Sequence, residues 1–210
     1  MIDFSLIVFY FLVVLVAVSV HESAHALVSY LLGDDTAKLQ NRISLNPLNH
    51  IDPFMSVILP VALMMMKLPA FGGAKPVMIN SRKIKYGDYG MALVALAGPI
   101  SNFLLAFICF GGLSLAVRLG NSFWSELMML SVQVNLGFML FNLLPIPPLD
   151  GSRVLYALVP DSIQEAMKNF EQYGTIAILF LVMLFSELIF VYVSRTGQLI
   201  ITAFRWIFGL

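Results

Sequence analysis

The apolar run from Phe4 to Leu32 is long enough to cross a bilayer, and near its far end it carries His21-Glu22-Ser23-Ala24-His25. A hydrocarbon core takes about 20 apolar residues in helical form, and a helix satisfies its own backbone there. Residues four apart on a helix differ by about 40° in direction, so the imidazoles of His21 and His25 share a face and can reach one cation. Glu22 stands about 100° round from His21, beside such a cation and not on it, where a base for metal-activated water belongs. Each ionisable side chain at this depth costs roughly 2.5 to 3.5 kcal/mol on insertion scales. Histidines that simply hydrogen-bond a neighbouring helix are the plainer alternative.

Composition narrows the class. The 210 residues are 60% hydrophobic and 11% charged, with a mean hydropathy of +0.90, which excludes an ordinary soluble domain. Net charge is zero and there is no Lys/Arg-rich tract with interleaved aromatics, so nucleic-acid binding has no electrostatic support. Cys109 is the single cysteine, which rules out a disulfide within the chain and a cysteine-built zinc site and leaves packing as its role. Ala17-Val18-Ser19 resembles a signal-peptidase site, but the run lacks a basic start and cleavage would cut the histidine motif from its helix; the segment is read as retained. Without repeats, low-complexity linkers or charge blocks, residues 1–210 read as one domain, an all-α polytopic helical bundle.

Apolar stretches fall at 4–32, 54–68, 91–117, 124–144, 174–193 and 199–210. The second and last are short for a crossing, and the second contains Pro60. A two-histidine site needs another ligand. The fourth stretch leads into Asn142-Leu143-Leu144-Pro145-Ile146-Pro147-Pro148-Leu149-Asp150-Gly151, which ends on a carboxylate; His50, in a turn-rich segment, is the rival and reads better as a hydrogen-bonding or interfacial residue. If Asp150 meets the histidines, the first and fourth stretches run in one direction and the third in the other. Residues 33–90 then begin and end on one side of the membrane, and 54–68 is re-entrant or interfacial. That side carries Lys38, Arg42, Lys67, Lys75, Arg82, Lys83 and Lys85 against Arg118 in the short opposite loop, so it is expected to be cytoplasmic.

These separated motifs together resemble the site-2 proteases, membrane-embedded zinc metalloproteases. The resemblance rests on His21 to His25, on Gly98-Pro99-Ile100-Ser101-Asn102, on Asn142 to Gly151, and on Asn46-Pro47-Leu48-Asn49-His50-Ile51-Asp52-Pro53, a segment of the compact bacterial branch. It implies one Zn²⁺ per chain held by His21, His25 and Asp150, with Glu22 as general base. It further implies that Asn142 holds the substrate backbone and that Asn102 either packs helices or lines the active site. The implied reaction is hydrolysis of peptide bonds in or near the membrane-spanning segment of another protein, as in regulated intramembrane proteolysis, in a bacterial cytoplasmic membrane with the site toward the cytoplasm. The partners are then a transmembrane substrate, the lipid bilayer and a separate regulatory or adaptor protein.

A helical peptide bond is shielded from attack, so a substrate must unwind, and an exposed strand edge can take up the freed amides. The family places a re-entrant β element after the histidine helix; Thr36 to Leu45, with partial polar/apolar alternation, and Phe71-Gly72-Gly73-Ala74 are the candidates for a small hairpin. Only six residues, Arg118 to Phe123, separate the third and fourth stretches, which leaves no room for a PDZ domain there, and no nucleotide-sensing domain follows the last stretch. Glu187 and Met64-Met65-Met66 read as an interfacial or protonated carboxyl and as apolar packing. Rival functions are a zinc hydrolase of signal-peptide remnants, a non-catalytic membrane binding protein and, more remotely, a metal transporter.

Overall fold

In the computed structural model, which describes residues 4–50, 52, 75 and 77–210, the chain is built of helices, with no strand among the described residues. They are α1 (Phe4–Leu31), α2 (Thr36–Leu39), a 3₁₀ turn (Pro47–Asn49), α3 (Gly87–Arg118), α4 (Ser122–Asn142), α5 (Asp150–Tyr156), α6 (Asp161–Glu171) and α7 (Gly174–Phe208). Three segments among the described residues are long and apolar enough to cross a membrane: Val8–Leu31 in α1, Gly87–Arg118 in α3 and Phe180–Phe208 in α7. Helix α4, at 21 residues, rises about 31 Å, but Glu126, Gln133 and Asn135 lower its hydropathy. Its polar Ser131 and Asn135 are buried inside the bundle, facing neighbours and not lipid.

Side-chain contacts fix the helix directions. Along α1, Ala17, His21 and His25 meet Asn102, Asn102 and Val94 of α3 in falling order, so the two helices are antiparallel. Phe9 of α1 stacks edge-on against Phe123 at the start of α4, with ring centroids 5.4 Å apart. His21 and His25 lie beside Asp150 just beyond the end of α4, so α1 and α4 run in parallel. The expected arrangement of the first, third and fourth stretches is therefore the one observed. Helix α4 packs most extensively on α3 around Phe110, Val132, Leu136 and Leu140. Phe204 of α7 closes this core, its ring 5.2 Å from Phe107 and 5.5 Å from Phe110.

Two expectations are corrected. Residues 36–45 are not a strand or hairpin: Thr36–Leu39 is a helical turn, followed by a reversal with Asn41 at φ 55°. Four alternating residues cannot distinguish a strand from one helical turn, and local hydrogen bonds decide. The buried Asp34 carboxylate accepts from Thr36 N at 3.0 Å and Thr36 Oγ1 at 2.5 Å, which seeds the turn. Arg42 N then closes onto Ala37 O at 2.9 Å, while the buried guanidinium reaches the Asn49 carbonyl and Lys75 O.

The stretches 174–193 and 199–210 are likewise one helix, bent at Phe185 where φ/ψ is −119°/19°. Ser194 to Gln198 interrupts the hydropathy but contains no proline, so it does not interrupt the backbone. The stretch 54–68, Phe71 to Ala74 and the helix expected from Pro53 lie outside the described residues.

Candidate metal centre

Three ligand atoms from two distant parts of the chain converge. His21 Nε2 and His25 Nε2 are 3.0 Å apart, and Asp150 Oδ2 lies 3.1 Å from the first and 3.4 Å from the second. A tetrahedral ion with bonds of about 2.0 to 2.1 Å separates its ligand atoms by about 3.3 Å. Both histidines are buried. Among the described residues, His21, His25 and Asp150 form the one group of His, Cys, Asp and Glu with ligand atoms so close together.

The hydrogen bonds behind the rings fix their protons. His25 Nδ1 is 2.7 Å from the Val94 carbonyl, which can only accept, so Nδ1 carries the hydrogen. His21 Nδ1 is 2.6 Å from Asn102 Oδ1. The Asn102 amide is held in this orientation because its Nδ2 donates to Ala17 O at 3.1 Å and to Asn135 Oδ1 at 2.9 Å. Asn135 is oriented in turn by donating Nδ2 to Ser131 O at 2.8 Å. Both Nε2 atoms therefore present lone pairs to each other and to a carboxylate oxygen. Asp150 Oδ2 is buried with no hydrogen-bond donor. Three converging acceptors without a donor repel one another, and a cation among them removes the repulsion; the donor set of two imidazoles and a carboxylate suits Zn²⁺.

Backbone geometry makes room for this group. A Cβ built on Gly98 of α3 would lie 2.5 Å from His21 Cε1 and 2.6 Å from His21 Nε2, so only glycine lets α3 pass the two rings. A Cβ on Gly151 would lie 2.5 Å from the Leu143 carbonyl carbon and 2.6 Å from Leu144 O. The close approach of α5 to the end of α4 that positions Asp150 depends on that hydrogen.

Glu22 is half-buried beside the group and is not part of it. Asn142 is the last residue of α4, and its Nδ2 donates to Phe138 O of its own helix at 3.0 Å; no hydrogen bond joins it to the histidines. His50 is buried away from the three ligands, with Nε2 2.6 Å from Ser44 O. Ser23, on the face of α1 turned from the rings, donates to the same Ser44 carbonyl, so His50 serves to hold residues 44–50 against α1. Asn135 escaped the sequence reading, although an amide seven residues before Asn142 and on the same helix face was the available signal.

Comparison with known proteins adds independent findings. The sequence model of Peptidase family M50 matches residues 116–186. The chain is 40% identical over 184 residues to YwhC of Bacillus subtilis (strain 168), provisionally named a zinc metalloprotease, covering 84% of this chain and 81% of that one. It is 29% identical over 175 residues to Rip2 of Mycolicibacterium smegmatis, named in the same way, covering 80% of this chain. Rip2 of Mycobacterium tuberculosis (strain H37Rv) is 30% identical over 179 residues, covering 81% of this chain. The chain spans 63% and 64% of the length of these two Rip2 proteins. No solved structure gives a significant match.

Proposed function

The chain belongs to peptidase family M50 and is a zinc metalloprotease and integral membrane protein, and from that premise we propose that it hydrolyses peptide bonds in or near the membrane-spanning segments of other proteins. The observation that carries the reading is the meeting of His21 Nε2, His25 Nε2 and Asp150 Oδ2 within a bundle of bilayer-length helices. These three residues would hold the zinc. When bound, zinc supplies a Lewis acid that polarises a carbonyl and acidifies water.

Glu22, one position round the helix from His21, accepts the proton of the attacking water and returns it to the leaving amine. Asn102 keeps the His21 ring turned with Nε2 inward, and Val94 O does the same for His25. Asn142, at the mouth of α4, holds the substrate backbone. A helical peptide bond has its carbonyl already hydrogen-bonded and is crowded by side chains, so a substrate must present an unwound segment. Its choice rests on the stability of the substrate helix, on membrane depth and on a separate adaptor protein.

Orientation follows from charge. The end of the bundle bearing Asp150 also bears Lys38, Arg42, Lys75, Arg82, Lys83 and Lys85, whereas Arg118 and Arg205 sit at the other. The positive-inside rule turns the first end to the cytoplasm of a bacterial cytoplasmic membrane. Co-expression of wild type and Glu22→Gln with a library of single-span membrane proteins tests the reading. Cuts that depend on Glu22 and fall within spans support it; absence of any such cut together with a zinc-free purified protein overturns it.

A further inference from the structure

Helix α6 partitions into three faces. With Ile163 as origin and about 100° per residue, Ala166, Met167 and Phe170 fall within about 60° of it. Gln164, Lys168 and Glu171 lie about 80° to 140° round, and Asp161, Glu165, Asn169 and Ser162 occupy about 160° to 260°. The second face is the one docked on the protein. Gln164 Nε2 donates to Tyr156 O at 3.1 Å and Val159 O at 3.3 Å. The Lys168 ammonium lies 5.4 Å from the Tyr156 ring centroid, and Glu171 pairs with Arg153. The helix thus turns polar side chains toward α5 and leaves its apolar face outward, with Ile163 47% and Phe170 42% exposed.

Its depth follows from α7. Phe204 and Phe208 of α7 pack on Phe107 and Phe110, and Arg118 at the end of α3 donates to Phe208 O at 2.8 Å, so α7 runs parallel to α3 with their C-terminal ends level. On the C-terminal side of the kink at Phe185, residues 186 to 208 rise about 33 Å, and residues 87 to 118 rise about 46 Å, each more than the hydrocarbon core of about 30 Å. The first turns of α3 and α7 therefore emerge at one membrane face. Helix α6 ends three residues before α7 begins, and the charge of Asp88, in the first turn of α3, reaches Lys168. Beyond α6, exposed Tyr173, Ile176 and Phe180 continue an apolar surface down α7 toward the hydrocarbon.

We propose that α6 is a membrane-surface helix, lying along the lipid–water boundary at the Asp150 end of the bundle with Ile163, Met167 and Phe170 among the acyl chains and Glu165 and Asn169 in water. Its occupant is the lipid surface itself, because the apolar face is continuous with the outward surface of a bilayer-length helix. Asp161, Glu165 and Glu171 against Lys168 leave α6 acidic. Attachment therefore comes from apolar area and the tether to α7, and anionic headgroups are not required. Through the Arg153–Glu171 pair and Gln164, the helix holds α5, whose first residue is Asp150, at a fixed depth relative to the lipid surface.

The test uses the full chain with Cys109→Ala and one added cysteine at a time: Ile163→Cys, Phe170→Cys, Glu165→Cys or Asn169→Cys. Each is labelled with an environment-sensitive fluorophore and reconstituted in phosphatidylcholine vesicles with or without nitroxide-labelled acyl chains. Positions 163 and 170 are expected to emit to the blue and be strongly quenched, and 165 and 169 to behave as in water. Equal quenching at all four positions overturns the proposal. Blue-shifted emission without quenching at 163 and 170 also overturns it, because a second copy or another protein then covers the face. Reactivity of the same cysteines with a water-soluble maleimide in opened native membranes reads the order without reconstitution: slow at 163 and 170 and fast at 165 and 169, with uniform rates counting against the proposal.

Discussion

His21 Nδ1 lies 2.6 Å from Asn102 Oδ1, and the amide of Asn102 cannot turn over, because its nitrogen is committed to Ala17 O and Asn135 Oδ1. One ring proton on α1 is thereby set by an amide on α3 and, behind it, by an amide on α4. A residue that fixes the tautomer of a metal-binding histidine usually contributes about 10- to 100-fold in metal affinity. Asn102→Leu is expected to weaken zinc binding by about that factor, measured by chelator competition on detergent-purified protein. Asn135→Leu should cost less, since Asn102 keeps its bond to Ala17 O. Equal affinity in Asn102→Leu and wild type would falsify this assignment.

Gly98→Ala should lose zinc and proteolysis together, because the new methyl would press on both imidazoles of a packed helix pair. Gly137 is the control: nothing lies within 4 Å of a Cβ built there. Gly137→Ala should fold, bind zinc and gain slightly in helix stability, by about 0.5 to 1 kcal/mol. Zinc content by atomic absorption and a thermal melt of each variant separate the two cases.

Glu22→Gln should keep its zinc and lose cleavage. General-base catalysis contributes about 10²- to 10⁴-fold, and Glu22 stands outside the cluster of converging ligand atoms. Zinc stoichiometry measured beside the rate of cutting a model single-span substrate checks both halves. Loss of zinc in this variant would move Glu22 from the role of base to that of ligand.

The convergence of His21, His25 and Asp150 was legible in the sequence for a physical reason. A helix fixes the relation of His21 to His25 from spacing alone, and a two-histidine set requires a third donor that few residues here can provide. Asn135 was not legible, because an amide in an apolar helix reads equally well as ordinary helix packing. Its partner Asn102 lies 33 residues away and is brought to it only by the packing of α3 on α4. The segment after α1 misled for the opposite reason. The alternation of Thr36 to Leu39 carried less weight than Asp34, whose side chain captures the backbone at Thr36 and, across the sequence, the amide of Asn80 at 2.7 Å. The polar break at 194–198 likewise marks a change of surroundings within α7 and not an end of the helix.

Asp34 gives the end of the bundle bearing Asp150 an acid-sensitive joint. Burial pushes its carboxyl up, but the hydrogen bonds from Thr36 and Asn80 and the charge of Lys83 outweigh this and hold it below its ordinary value of 3.8. A depressed folded-state carboxyl contributes stability that is present above the unfolded pKa and lost as pH falls through the folded one. Protection of the Thr36 and Asn80 amides, relative to the intrinsic exchange rate at each pH, should therefore fall only once the pH drops below about 4. Asp34→Ala should lower that protection at every pH and cost about 1 to 3 kcal/mol, the penalty for leaving buried donors without an acceptor. A thermal melt and hydrogen exchange on the two proteins decide the matter, and wild-type protection factors that stay constant down to about pH 3 count against it.

The directions of α1, α3 and α4 put Lys75 and Asn121 at opposite ends of the bundle. Lys75 N donates to His50 O at 2.8 Å beside the turn that follows α1, whereas Asn121 caps the start of α4 by accepting from Trp124 N at 3.1 Å. In a Cys109→Ala background, Lys75→Cys and Asn121→Cys should react with an impermeant maleimide from opposite sides of sealed membranes. Lys75→Cys should be reached only from the cytoplasmic side. Removing the cap at 121 costs about 1 kcal/mol, too little to reorient a bundle held by α3 and α4. Reaction of both from one side would mean that the helices between them do not carry the chain across, and the antiparallel order read from the His25–Val94 and Ala17–Asn102 contacts would then have to be abandoned. Opposite sides with Lys75 outside would keep the order and invert it, placing Asp150 and the two histidines toward the exterior against the charge asymmetry of the loops.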